Sequence, residues 1–209
     1  MDGKDLRVSG EADLERASDD ALVRRARAGE RGAFDVLVGR YAKPLLNFFL
    51  RAIGNRARAE DLWQDTFCTA WDRLSTFDTD RRLRPWLYGI AMNLLRNAWR
   101  ASNKLPKQLE DGADRPDRRP GPDAQAADRE VGQIIWEGVR DLSDEQRLVF
   151  VLRIYHGLDY AEISQILECP EGTAKSRMHF AAEAIRKHLE KRGVRPEAGK
   201  PPPAGGSGN

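Results

Sequence analysis

Cysteine is scarce in this chain. Cys68 and Cys169 are the only two in 209 residues, and they show no CxxC spacing. A disulfide framework or a thiolate metal site is therefore not expected. His156, His179 and His188 form no ligand pattern with them, so no structural metal or other cofactor is expected either. Long apolar runs are also missing. LLNFFL is the longest candidate, far short of the roughly 20 residues of a membrane span. The opening MDGKDLRVSGEADLERASDD has neither the basic nor the apolar segment of a signal peptide, so a cytoplasmic protein without membrane insertion is expected. GxxxxGKS/T, GxSxG and HExxH are all absent, which leaves an enzyme as the least supported class. No stretch alternates with period two for long enough to make a strand. The expected class is all-α.

Net charge is only +2, yet its distribution is uneven. The stretch from Ala59 to Arg100 shows this best: AEDLWQDTFCTAWDRLSTFDTDRRLRPWLYGIAMNLLRNAWR. Glu60, Asp61, Gln64 and Asp65 share one face of a helix. Trp63, Phe67, Ala70, Trp71 and Leu74 recur at three and four and predict its buried stripe. A run of carboxylates is most often a solvated face; the functional alternative is a docking surface for a basic partner. A loop follows that carries Phe77. From Asp78 onward, Arg81, Arg82, Arg84, Arg96 and Arg100 stand against Asp78 and Asp80. Pro85 suits the first turn of a second helix. Leu87, Ile90, Ala91, Leu94 and Ala98 predict its apolar stripe, with Trp86, Asn93, Arg96, Asn97 and Arg100 on another side. Rings, amides and guanidiniums together are the groups that stack on bases, bond their edges and neutralise phosphates.

AEDLWQDTFCTAW, a Phe-Asp loop and PWLYGIAMNLLRN resemble the second conserved region of bacterial sigma factors, in particular the small extracytoplasmic-function (ECF) subfamily of the sigma-70 family. LVRRARAGERGAFDVLVGRYAKPLLNFFLRAIGN fits the same pattern, so the resemblance covers Asp19 to Arg100. It implies that Glu60, Asp61, Gln64 and Asp65 meet core RNA polymerase, a complex held through its two largest subunits. It further implies that Phe77, Arg81, Arg82, Trp86, Asn93, Arg96, Asn97 and Arg100 serve the minus-ten promoter element.

Residues 1–18 are polar and expected to be mobile. Ser18 or Asp19 caps a helix that closes at Gly29. A second helix carries Ala33, Phe34, Leu37, Val38 and Tyr41 on one face, and Pro44 is expected to kink or restart it. Residues 101–128 are rich in Pro, Gly, Asp and Arg and read as a flexible linker between two helical domains. Residues 129–192 form the second domain. Val131, Ile134, Ile135, Val139 and Leu142 mark its first helix. Ser143 and Gln146 have capping-box spacing at the start of the next, whose apolar residues are Leu148, Val149, Val151, Leu152 and Ile154. Tyr160 to Leu167, a turn at Glu168-Cys169-Pro170 and a helix from about Glu171 outline a helix-turn-helix. In its last helix Ala174, Met178, Ala181 and Ile185 face inward, leaving Thr173, Lys175, Ser176, Arg177 and His179 outward. Six Lys/Arg stand against three Glu from Glu171 to Arg192, which favours contact with DNA. Residues 193–209 read as a disordered tail.

LSDEQRLVFVLRIYHGLDYAEISQILECPEGTAKSRMH is similar to the fourth conserved sigma region, the reader of the minus-thirty-five element. The resemblance assigns that reading to Thr173, Lys175, Ser176, Arg177 and His179. It places the apolar helix from Gln146 to Ile154 on the polymerase flap, and it implies promoter DNA and an anti-sigma protein as further partners. Phe180 and Ala181 stand where the family often has arginines. The competing reading is a stand-alone helix-turn-helix regulator, which leaves the acidic helix and its neighbour without a purpose.

Overall fold

The computed structural model describes residues 13–101 and 125–194. Among them there is no strand, in keeping with the all-α expectation. The chain divides into two compact units, Met1–Phe49 with Ala57–Asn103, and Leu50–Arg56 with Lys104–Asn209. The stretch 102–124, most of the expected linker, lies outside the described residues.

The first unit opens earlier than expected. Residues 13–16 form a helical turn, and Leu14 is buried in the core, so the polar N-terminus already contributes an apolar anchor. Helix α1 runs Asp19–Arg27. The Ser18 hydroxyl accepts the Ala21 N–H at 3.3 Å, acidic residues fill its first turn and Arg24, Arg25 and Arg27 its last, which suits the helix dipole at both ends. Gly29, with φ of +96°, takes the left-handed conformation that stops it.

Helix α2 spans Arg31–Ile53 with Pro44 inside it. The expected restart does not occur. An interior proline costs about 3 kcal/mol, whereas fully burying one large apolar side chain contributes about 1.5–3 kcal/mol. Leu45, Phe48 and Phe49, immediately beyond the proline, are all fully buried, and together they outweigh it. Helix α3 spans Arg56–Arg73, followed by a 3-10 turn, Leu74–Thr76. Its inner face is Ala59, Leu62, Thr66, Phe67 and Ala70, which corrects the expected stripe. Trp63 is only half-buried, its indole N–H donating to the Ala42 carbonyl at 2.9 Å, and Trp71 is exposed. Ala59, Thr66 and Ala70 are small, Phe67 is the one large ring on the inner face, and the two tryptophans sit at its margins. Helix α4 spans Leu83–Ala101. Tyr88, Met92 and Leu95 join Leu87, Ile90 and Ala91 inside, while Leu94 and Ala98 are half-buried. The stripe is thus rotated by one position at its C-terminal half.

In the second unit α5 spans Gln125–Arg140, beginning four residues before the expected domain boundary. Helix α6 spans Asp144–Phe150 and bears the Ser143–Gln146 capping box that its spacing predicts. It then widens into a π-helical turn, Val151–Tyr155, where the His156 N–H donates to the Val151 carbonyl at 3.2 Å. Gly157, φ +62°, ends it. Helices α7, Tyr160–Leu167, and α8, Glu171–Lys191, complete the unit. Helix α8 packs against α5, α6 and α7 through Ala174, Ala181, Ile185 and Leu189. Val194 also lies against this core, so the ordered chain extends past residue 192.

Candidate nucleic-acid interface

Along α3 the outward row is Asp61, Gln64 and Asp65, all exposed, with Glu60 half-buried at its edge. The row continues through exposed Cys68 and Trp71, and the Trp71 ring meets Phe34 edge-on at 4.8 Å. A negative face bordered by an aromatic ring is what this helix offers to a partner.

Between α3 and α4 the structure departs from expectation at Phe77. Its ring is 4% exposed and packs among Leu22, Val23, Leu37, Leu74 and Leu83. Trp86, half-buried, covers it with ring centroids 4.7 Å apart. Phe77 is therefore a core residue in this conformation, because the short 3-10 turn directs it back under α4 instead of outward. The exposed part of the loop is Asp78, Asp80, Arg81 and Arg82. Asp78 shapes it, accepting the Asp80 N–H at 3.1 Å and pairing with Arg81 at 3.4 Å.

The polar side of α4 starts at Trp86 and resumes two turns later as Asn93, Arg96, Asn97 and Arg100. Asn93, Asn97 and Arg100 are exposed and Arg96 half-buried. Arg96 donates to the Asn93 amide oxygen at 3.4 Å and Arg100 to that of Asn97 at 3.5 Å. Amides and guanidiniums thus lie side by side along this row, side chains suited to base edges and phosphates.

In the second unit the Asp159–Glu162 capping box fixes the start of α7; its D-x-x-E spacing was readable in the sequence. Glu168, in the left-handed conformation with φ of 53°, makes the turn, and Pro170 opens α8. Lys175, Ser176 and His179 are exposed, Thr173 and Arg177 half-buried. Lys175 pairs with Glu171 at 2.7 Å, and that carboxylate holds its ammonium above the usual lysine range. Arg177 pairs with Glu145 of α6 at 2.6 Å. Phe180 is 54% exposed beside His179. Of the apolar residues placed on the flap, Leu148, Val149, Val151 and Leu152 are buried and only Ile154 is half-exposed, so this conformation does not offer that surface.

Residues 37–105 match the family model described as sigma-70 region 2, and residues 132–185 match sigma-70 region 4. The chain is 30% identical over 186 residues to the RNA polymerase sigma-H factor of Pseudomonas aeruginosa, covering 85% of this chain and 96% of that protein. It belongs to the ECF sigma factors of the sigma-70 family. The ECF RNA polymerase sigma-E factor of Escherichia coli strain K12 is 31% identical over 180 residues, or 82% of this chain and 94% of that one. Among solved structures, CnrH in complex with the cytosolic domain of CnrY superposes with a TM-score of 0.61 at 27% identity, over 83% of this chain and 97% of that one. RpoE of Bartonella quintana, in complex with the anti-sigma factor NepR, gives 0.60 at 25% identity, over 75% and 96%. This sigma factor directs promoter-specific transcription initiation, and the stand-alone regulator is not favoured, because it leaves the matched region 2 unused. No helix among the described residues is long and apolar enough to cross a membrane. Helix α1 precedes residue 37, where the region 2 match begins.

Proposed function

We propose that the sigma factor divides its work among three faces. Asp61, Gln64 and Asp65, with Glu60 at the margin, hold the basic clamp helices of the two largest polymerase subunits. The row Trp86, Asn93, Arg96, Asn97 and Arg100, with Arg81 and Arg82 of the loop, receives an unstacked base of the minus-ten element. Thr173, Lys175, Ser176, Arg177 and His179 read the minus-thirty-five element in a major groove. The observation that carries this reading is the α4 row, in which exposed Asn93, Asn97 and Arg100 and half-buried Arg96 are already paired amide to guanidinium. Pulling one base from the stack costs a few kcal/mol, and stacking recovers about 1–3 kcal/mol per base. Hydrogen bonds to the base edge add to that, so strand opening proceeds without ATP. The protein makes and breaks no covalent bond itself, needs no cofactor and acts in the cytoplasm, where the polymerase is. An anti-sigma protein that holds it inactive fits the complex of its structural neighbour RpoE with the anti-sigma factor NepR. In vitro transcription with purified bacterial core polymerase and a promoter library tests the reading. Selective initiation from a discrete set of promoters is expected; initiation no more selective than with core polymerase alone would reject it.

A further inference from the structure

Arg27 is the last residue of α1 and lies outside the stretch that matches region 2. Its guanidinium reaches across to the loop between α3 and α4. One terminal nitrogen donates to the Ser75 carbonyl at 2.8 Å, the other to the Phe77 carbonyl at 3.3 Å. These carbonyls flank Thr76, where the 3-10 turn gives way to loop. Carbonyls at a helix end have lost their intrahelical donors, and a guanidinium offers several N–H groups in a fixed planar fork. One side chain therefore spans the junction. Below it, the Phe77 ring is clamped under Trp86. Beyond it stand exposed Asp78, Asp80, Arg81 and Arg82.

We infer that Arg27 is a positioning residue for promoter opening, holding the loop in register with Trp86 and the polar row of α4. The inference rests on the assignment of that row to the minus-ten element. It makes α1 part of the opening apparatus. The hydrogen bond to Ser75 is exposed and the one to Phe77 half-buried, and Arg27 is itself exposed, so water replaces the first when Arg27 is removed. The Phe77 ring keeps its packing. Loss of Arg27 therefore disturbs the loop more than the fold. A lysine, with a single ammonium, cannot present a planar fork to both carbonyls at once.

The test uses the full chain bound to core polymerase and a promoter recovered from the library. Permanganate reactivity of unpaired thymines reports opening of the duplex promoter. Transcription from the same promoter carrying a premade mismatch bubble reports everything except opening. Arg27→Ala is expected to reduce opening about tenfold, because small misplacement of a reacting constellation is costly. Arg27→Lys is expected to fall between. Polymerase affinity and bubble-template transcription stay within about twofold of the parent, as for loss of an exposed hydrogen bond. Undiminished opening by Arg27→Ala overturns the inference, and so does an equal loss on the bubble template, which marks a general defect. The combined Asn93→Ala and Asn97→Ala variant separates the two levels. If it opens the duplex as the parent does, the α4 assignment fails and this inference with it. If it is defective while Arg27→Ala is not, the inference alone fails.

Discussion

Arg177 on α8 lies 2.6 Å from the carboxylate of Glu145 on α6. The pair is lopsided in exposure, 24% for the Arg177 side chain and 67% for Glu145, so solvent screens it and it contributes under about 1 kcal/mol. Under the proposed reading of the minus-thirty-five element, a phosphate or a guanine edge takes over that side of the guanidinium. Glu145→Gln is therefore expected to tighten holoenzyme binding to promoter DNA by about two- to fivefold at low salt, with the gain fading as screening shortens the field. Fluorescence anisotropy titrations across a salt series measure this. Weaker binding by the variant would instead make Glu145 the group that aims Arg177.

The acidic row of α3 calls for charge reversal. Asp61 and Asp65 are exposed, and exposed substitutions away from caps and cores shift stability by only about 0.5 kcal/mol. Like charges brought face to face across an interface cost several kcal/mol. The Asp61→Lys, Asp65→Lys double variant is expected to lose at least about tenfold in affinity for core polymerase with its melting temperature nearly unchanged. Surface plasmon resonance and thermal scanning read the two quantities separately. Parental affinity in the variant would remove the docking role from this face.

Phe77 illustrates where sequence reading reaches its limit. Its position in a polar, arginine-rich loop marks it as an exposed aromatic, yet the chain folds it under Trp86. That outcome depends on α1 and α2 supplying Leu22, Val23 and Leu37 from forty or more residues away, and no local pattern encodes it. The same holds for Arg27, which reads as one basic residue among several in RRARAG and acquires its role only when the loop docks beside it. Pro44 fails as a breaker for a related reason, since the penalty is local and the compensating burial of Phe48 and Phe49 is tertiary. Local signals fared better. The caps at Ser18 and Ser143, the Gly29 stop, the turn at Glu168 and the inward face of α8 are all properties of a few neighbouring residues. Helical period alone separates exposed Asn93, Asn97, Arg100, Lys175, Ser176 and His179 from the core, whereas Trp86, Arg96, Thr173 and Arg177 are half-buried by neighbours that the period does not encode.

Truncating the Phe77 ring should then act on the fold first. Phe77→Ala is expected to cost about 3–5 kcal/mol, as for other buried aromatic rings, a large share of the 5–15 kcal/mol typical of a whole domain. Phe77→Leu, which keeps most of the volume, is expected to cost about 1 kcal/mol. Urea unfolding followed by tryptophan fluorescence distinguishes them. If Phe77→Ala is as stable as the parent but defective in opening promoters, the ring leaves the core to meet DNA.

Tyr41 gives the pH dependence. Its hydroxyl donates to the Asp19 carboxylate, which also accepts Arg40 at 2.7 Å, while Arg40 donates to the carbonyls of Glu15 and Ala17 at 2.7 and 2.6 Å. This network ties the N-terminal turn to α2. Burial first, and the hydrogen bond to Asp19 second, push the Tyr41 phenol well above its ordinary range. In the unfolded chain the phenol ionises near pH 10. The folded value is raised, so the contribution is complete below about pH 10 and declines as the pH climbs from there toward the folded value, by at most about 1.4 kcal/mol per pH unit. Stability at neutral pH should drop by about 1 kcal/mol in Tyr41→Phe, which removes one hydrogen bond. Above pH 10 the variant should lose stability less steeply than the parent. Urea midpoints measured from pH 7 to 11.5 decide the matter. Parallel alkaline slopes in the two proteins would mean that other groups carry the loss and that the Tyr41 proton is not linked to folding.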